Sequence, residues 1–304
     1  MSSVPAAGGT PVDGVPPLLR GIVDDAALVS GGPRPAMRDV VDAHLAARAE
    51  HDGLIGALVV PVSRISELVS ELVPRRPSGP VPVTLSVDTG LGGVPKAFSL
   101  TSSRAALLAP VSVEMPAPHD VDVLWLERVT EFVPDDVVAV VEPRRPDTGT
   151  TSDGGSEWLA GVRRVIDHGC RPKLRCGGLR AGAFPGDDDV AGFLAVAVGS
   201  GRSFTASMGL QTSVRHVDAT TGFTHHGWLN ILVATSRLLA EPDADPAATV
   251  AEALAGTDRA ALVAELEALD PDTTSRVRDM FPSFGSTAPA DQGVEVARLG
   301  LVGS

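Results

Sequence analysis

Tyrosine is missing from all 304 residues, so the phenol that often serves as a general acid has no part in the chemistry of this chain. Lysine is nearly missing: of 25 basic side chains only Lys96 and Lys173 are lysine, and arginine supplies the rest. A plain positive charge is therefore met by arginine, which leaves the two lysines as candidates for what a guanidinium cannot do. An ammonium can lose its proton, form an imine, or act as a compact point charge. Cys170 and Cys176 are the only cysteines and lack metal-ligand spacing, so reduced thiols are expected. No apolar run approaches the length of a membrane-spanning helix, and residues 1–17 have neither the basic start nor the apolar core of a signal peptide. A cytoplasmic protein is expected, with no membrane partner. The net charge of −13, with arginines in isolated pairs such as Arg75-Arg76 and Arg144-Arg145, opposes a phosphate backbone, so no nucleic-acid partner is expected.

What is present is ample apolar material, 43% of residues, arranged in short runs that alternate with helical patterns. Residues 1–17, rich in Pro, Gly, Ser and Ala, read as a flexible tail, and the body begins near Pro35. Strands are predicted at 54–60, 81–87, 111–115, 137–141, 172–176 and 204–208, with a late strand near 281–285. Helical stretches separate them at 37–49, 65–73, 96–108, 156–168, 188–198 and 226–239. Residues 121–127 fit a strand or a helix equally. Further helices follow at 247–254, at 259–269 and from Pro271, so that residues 35–304 form one domain with a helical segment over 247–280. Such alternation implies parallel βαβ units. An open doubly wound sheet would carry G-x-G-x-x-G after its first strand, and none occurs. Polar residues instead end several strands: Asp88, Glu114, Glu142, Lys173 with Arg175, and Ser207. A site spread over many strand ends is how a (β/α) TIM-type barrel is built, and that is the predicted fold.

Several segments carry a resemblance: Lys173-Leu174-Arg175-Cys176-Gly177-Gly178 with Phe184-Pro185, Phe204-Thr205-Ala206-Ser207-Met208-Gly209-Leu210, Arg215-His216, His226-Gly227-Trp228-Leu229-Asn230 and Ser283-Phe284-Gly285-Ser286. Over roughly residues 50–304 the chain resembles a family of uncharacterised conserved proteins from high-GC bacteria. Their pattern is K-[IL]-R-x-GG, F-K-A-T-x-G-L-H-H, H-G-[FW]-L-N and S-F-G-S. The resemblance implies a barrel and brings no activity with it. Thr205 stands where that family has lysine, and Gln211-Thr212 where it has two histidines. If those residues carry the family's chemistry, the implied activity is altered or lost here.

Period-two alternation puts Arg171, Lys173 and Arg175 on one face of their strand. Facing a barrel axis, such a face demands counter-charge from Glu114 and Glu142 or from an anionic ligand. The competing reading is a structural ion-pair layer. Lys173, Glu142 and Glu114 are the catalytic candidates, with Lys173 expected to clamp an anion rather than form an imine. Arg175, the Gly177-Gly178 backbone, Asp88, Ser207, Arg215, His226 and Asn230 are the substrate-binding candidates. His226 is expected at the cavity mouth and His225 exposed, and adjacent histidines cannot present both rings to one metal, so no metal is expected. The expected ligand is a small phosphorylated or carboxylated carbonyl metabolite, turned over by a lyase- or isomerase-like enzyme without a cofactor. A catalytically degenerate barrel that binds a ligand or regulates is the alternative, and a homo-oligomer remains open.

Overall fold

The computed structural model describes residues 14–29, 31–146 and 152–301. Most of the expected tail, residues 1–13, lies outside them. Eight parallel strands close a barrel. In chain order these are β1 (Val23–Asp25), β2 (Ile55–Pro61), β3 (Val81–Ser86), β4 (Leu108–Pro116), β5 (Val138–Glu142), β6 (Arg171–Arg175), β7 (Thr205–Ser207) and, after a short antiparallel hairpin of β8 (His216–Val217) and β9 (Thr224–His225), β10 (Phe284–Ser286). The first strand pairs with both β2 and β10 and so seals the ring.

Helices pack outside: α1 (Met37–Glu50), α2 (Ile65–Arg75), α3 (Val94–Ser102), α4 (Val123–Phe132), α5 (Ser152–Asp167) and α6 (Asp187–Gly199). After β7 come α7 (Trp228–Ala240), α8 (Pro246–Ala255), α9 (Arg259–Glu267) and α10 (Pro271–Met280), and α11 (Pro289–Arg298) follows β10. The ambiguous segment around residue 124 is helix α4, because the Asp122 carboxylate accepts from the Trp125 N–H at 2.7 Å and caps its first turn. Asp245, Asp258 and Asp270 cap α8, α9 and α10 in the same way.

One expectation fails at the start of the chain. The barrel domain begins upstream of Pro35, since β1 supplies a wall and Leu18, Leu19 and Ile22 are buried. A three-residue strand ending in two aspartates offers too short an apolar run to be read from sequence.

Outward-facing residues such as Val83, Leu85, Val113, Val141 and Leu174 make the apolar core with the helices. Inward-facing positions are unusual for a barrel. Branched aliphatic side chains normally fill the lumen in layers, but here Thr84, Ser112, Thr205 and Gly285 alternate with Asp24, Glu114, Arg171 and Lys173 around open space. Small and charged inward residues leave the shaft unfilled, and two cavities result.

Candidate active site

The narrower cavity, about 120 Å³, lies at the C-terminal mouth of the barrel. Ser86 of β3, Glu114 of β4, Glu142 of β5, Lys173 and Arg175 of β6 and Ser207 of β7 line it. Alternation works as the spacing predicts: Pro172 and Leu174 are buried outward, while Arg171, Lys173 and Arg175 share the inner face. Lys173 Nζ lies 2.6 Å from Glu114 Oε2, with only 12% and 13% of the two side chains exposed. Arg175 Nε lies 2.6 Å from Glu142 Oε1 at the rim, where the arginine is half exposed. Burial alone would push the Lys173 ammonium down, but the Glu114 and Glu142 carboxylates outweigh it and hold the pKa above its ordinary value. Lys173 is therefore a fixed cation at neutral pH. Lys96, by contrast, is exposed on α3.

Met208, immediately after β7, also lines the mouth and adopts a left-handed backbone (φ 62°). A methionine there costs on the order of 1 kcal/mol, and strain of this kind gathers at functional sites. Gln211 reaches the same cavity, while Thr212 turns away to bond the His216 ring at 2.9 Å.

The wider cavity, about 440 Å³, occupies the lumen on the N-terminal side of the Lys173–Glu114 pair. It contains Asp24, a residue that sequence reasoning missed along with its strand. Its carboxylate accepts from the Ala57 N–H at 2.8 Å and from Ser283 Oγ at 2.6 Å, and burial pushes its pKa up to about 6. The only signal in the sequence is an aspartate pair directly after Ile22-Val23.

Six expected ligand-binding residues sit elsewhere. Asp88 accepts from the Ser63 backbone at 3.0 Å and ties the loop after β3 to the loop after β2. Gly177 and Gly178 line neither cavity and sit in close loop packing: a Cβ at Gly177 would lie 2.9 Å from Gly209 Cα, and one at Gly178 2.7 Å from Ala183 Cβ. Arg215 pairs with Asp187 at 2.6 Å, away from both cavities. Asn230 is buried and accepts from the Arg215 N–H while donating to the Ala253 and Gly256 carbonyls, which fastens the start of α7 to α8. His226 is buried rather than at the mouth, with Nε2 2.9 Å from the Pro185 carbonyl and its pKa lowered by burial. His225 is half-buried, not exposed, with its ring tilted against those of Phe184 and His216. These residues cluster near the site's loops because they hold those loops together, which composition alone does not distinguish from ligand binding. Cys170 and Cys176 are buried free thiols, pushed up to about 11 and about 12 by burial.

The fold defines the chain as a (β/α)8 TIM-type barrel. No family model and no curated protein matches it. Among solved structures it is similar to the carboxyl transferase domain of Rhizobium etli pyruvate carboxylase with pyruvate and biocytin. That likeness has a TM-score of 0.41 and 10% identity over 97% of this chain, which spans about half, 54%, of that one. It is also similar to a Toxoplasma gondii ME49 protein assigned as a deoxyribose-phosphate aldolase, at a TM-score of 0.39 and 16% identity over 92% of this chain and 93% of that one. Likeness at this level bears on neither substrate nor reaction. Among the described residues no helix is long and apolar enough to cross a membrane.

Proposed function

We propose that this barrel is an enzyme that moves a proton next to a carbonyl in a small phosphorylated or carboxylated metabolite, as a lyase or an isomerase does. The observation that carries the reading is the Lys173–Glu114 pair, 2.6 Å apart and nearly shielded from water at the base of the mouth. The Glu114 carboxylate takes a proton from the carbon beside the carbonyl, and the electron pair moves onto the carbonyl oxygen. Lys173, held cationic, stabilises that oxyanion, an electrostatic role that needs no imine. In a substrate with a hydroxyl on the deprotonated carbon, the Glu114 proton then returns to the former carbonyl carbon while the hydroxyl proton passes to the oxyanion, which is an isomerisation. Where the next carbon carries a hydroxyl or phosphate, the carbonyl re-forms and that group leaves with its electron pair, as water once protonated or as phosphate, which is a lyase step. Arg175 at the exposed rim swings from Glu142 to the substrate's anionic group, for which its guanidinium fork is suited.

The test is solvent exchange. In deuterium oxide the wild type should exchange the proton beside the carbonyl of at least one of pyruvate, 2-oxobutyrate, dihydroxyacetone phosphate and glyceraldehyde 3-phosphate. Glu114→Gln and Lys173→Met should slow this by roughly 10²–10⁴. Borohydride should trap no adduct, and a covalent adduct on Lys173 would replace this mechanism with an imine one.

A second reading, a barrel that binds without turnover, draws on Thr205. It stands directly beside Lys173 in the parallel register, at the position where the resembling family carries a second lysine. Saturable binding of those compounds with no exchange of any of them would favour that reading.

A further inference from the structure

The wider chamber carries an excess of unmatched positive charge. Arg48 reaches it from α1 and Arg171 from the start of β6. Arg48 Nη1 donates to the Gly56 carbonyl at 2.9 Å, and Arg171 Nε donates to Ser203 Oγ at 2.9 Å. Both partners are neutral, and neither guanidinium has a carboxylate within 4.0 Å among the described residues. Each keeps N–H groups to spare. The two acids that face the chamber are already engaged, Asp24 by Ala57 and Ser283 and Glu114 by Lys173. A partly buried guanidinium with no contacting counter-charge is costly: burial holds the Arg171 pKa below its ordinary value, and the attraction of the more distant Asp24 carboxylate does not make up for it. The remaining wall mixes the hydroxyls of Thr84, Ser112 and Thr205 with an aliphatic part formed by Ile55, Val59, Val140 and Val111, and the exposed Val111 and Gly53 mark an opening on the N-terminal face, opposite the mouth.

We propose that this chamber is a second binding site, entered from the N-terminal face, for a small carboxylic acid with an apolar body. Its carboxylate lies between Arg48 and Arg171 and its hydrocarbon lies along the aliphatic wall. The guanidinium fork matches two carboxylate oxygens. The aliphatic part of the wall rewards burial of hydrocarbon, a gain that a bare phosphate does not bring. The volume, about 440 Å³, lies within the range of small-molecule pockets. The site shares with the mouth only the partition formed by Lys173, Glu114, Ala26 and Gly285, so it stands whether or not the mouth is catalytic.

Calorimetry on the full chain with 3-methylbutanoate tests this directly. One-to-one saturable binding is expected, weakened at least tenfold by Arg48→Gln and by Arg171→Gln and unchanged by Arg175→Gln, with inorganic phosphate failing to compete. Wild-type crystals soaked in 3-bromopropanoate should show the bromine inside the chamber, a result independent of how the variants fold. The proposal is overturned by absence of saturable binding, by equal affinity in the Arg48 and Arg171 variants, by effective competition from phosphate, or by bromine at the C-terminal mouth.

Discussion

Asp24 fits the lumen because residue 56 has no side chain: a Cβ on Gly56 would stand 2.6 Å from Asp24 Oδ1. Held among β1, β2 and the residue before β10, the carboxyl titrates near 6 instead of 3.8, chiefly because burial disfavours its charge. A carboxyl whose pKa is raised on folding binds more protons when folded. It therefore opposes folding progressively as pH rises from about 4 to 6, and fully above that. The full penalty is at most about 3 kcal/mol, less whatever the cavity's water restores. Asp24→Asn keeps an acceptor for the Ala57 N–H and discards the charge. It should thus be more stable than the wild type at pH 8, by up to about 3 kcal/mol, with the difference fading below pH 4. Urea titrations at the two pH values check this, and a difference that does not depend on pH would contradict it. The same lumen holds Lys173 in the opposite condition, a cation kept charged by the carboxylates beside it.

At the scale of elements, what the sequence discloses follows from periodicity. The inward face of β6 is legible because Arg171, Lys173 and Arg175 alternate with outward residues, and a charged face inside a barrel requires partners such as Glu114 and Glu142. Most strands are legible for the same reason, as short apolar runs between helical patterns. Strand β1 is not, since three residues with two acids carry no period. The roles of Asn230, Arg215 and His226 are also hidden, because a buried polar side chain that fastens loops has the same composition as one that binds substrate. Glycines are ambiguous in a related way. Gly209, left-handed at φ 72°, lets the turn after β7 approach the turn after β6, and a Cβ there would collide with the Cys176 carbonyl. Gly209→Ala should cost on the order of 2 kcal/mol or more from strain and displaced backbone, read as a lowered denaturation midpoint. An unchanged midpoint would mean that the two turns do not need this approach.

For the whole molecule, closure is the decisive property. With β1 bonded to β2 on one side and β10 on the other, the first strand is the keystone between the two ends of the chain. Removing residues 1–34 would expose the edges of β2 and β10 and take away Leu18, Leu19 and Ile22, uncovering the core that they pack against, including Leu54 and Ile55. That truncated protein should lose cooperative thermal unfolding, and a sharp transition like that of the full chain would show that the barrel closes without β1. The scarcity of lysine offers the most direct test of the central claim, that Lys173 is a permanent cation paired with Glu114 and not a latent amine. With ¹⁵N-lysine labelling the side-chain spectrum contains two signals, one from exposed Lys96 and one from Lys173. The account predicts that the Lys173 signal titrates above the ordinary 10.5 and falls back in Glu114→Gln. A Lys173 signal titrating below about 9, as a desolvated nucleophilic amine would, contradicts it.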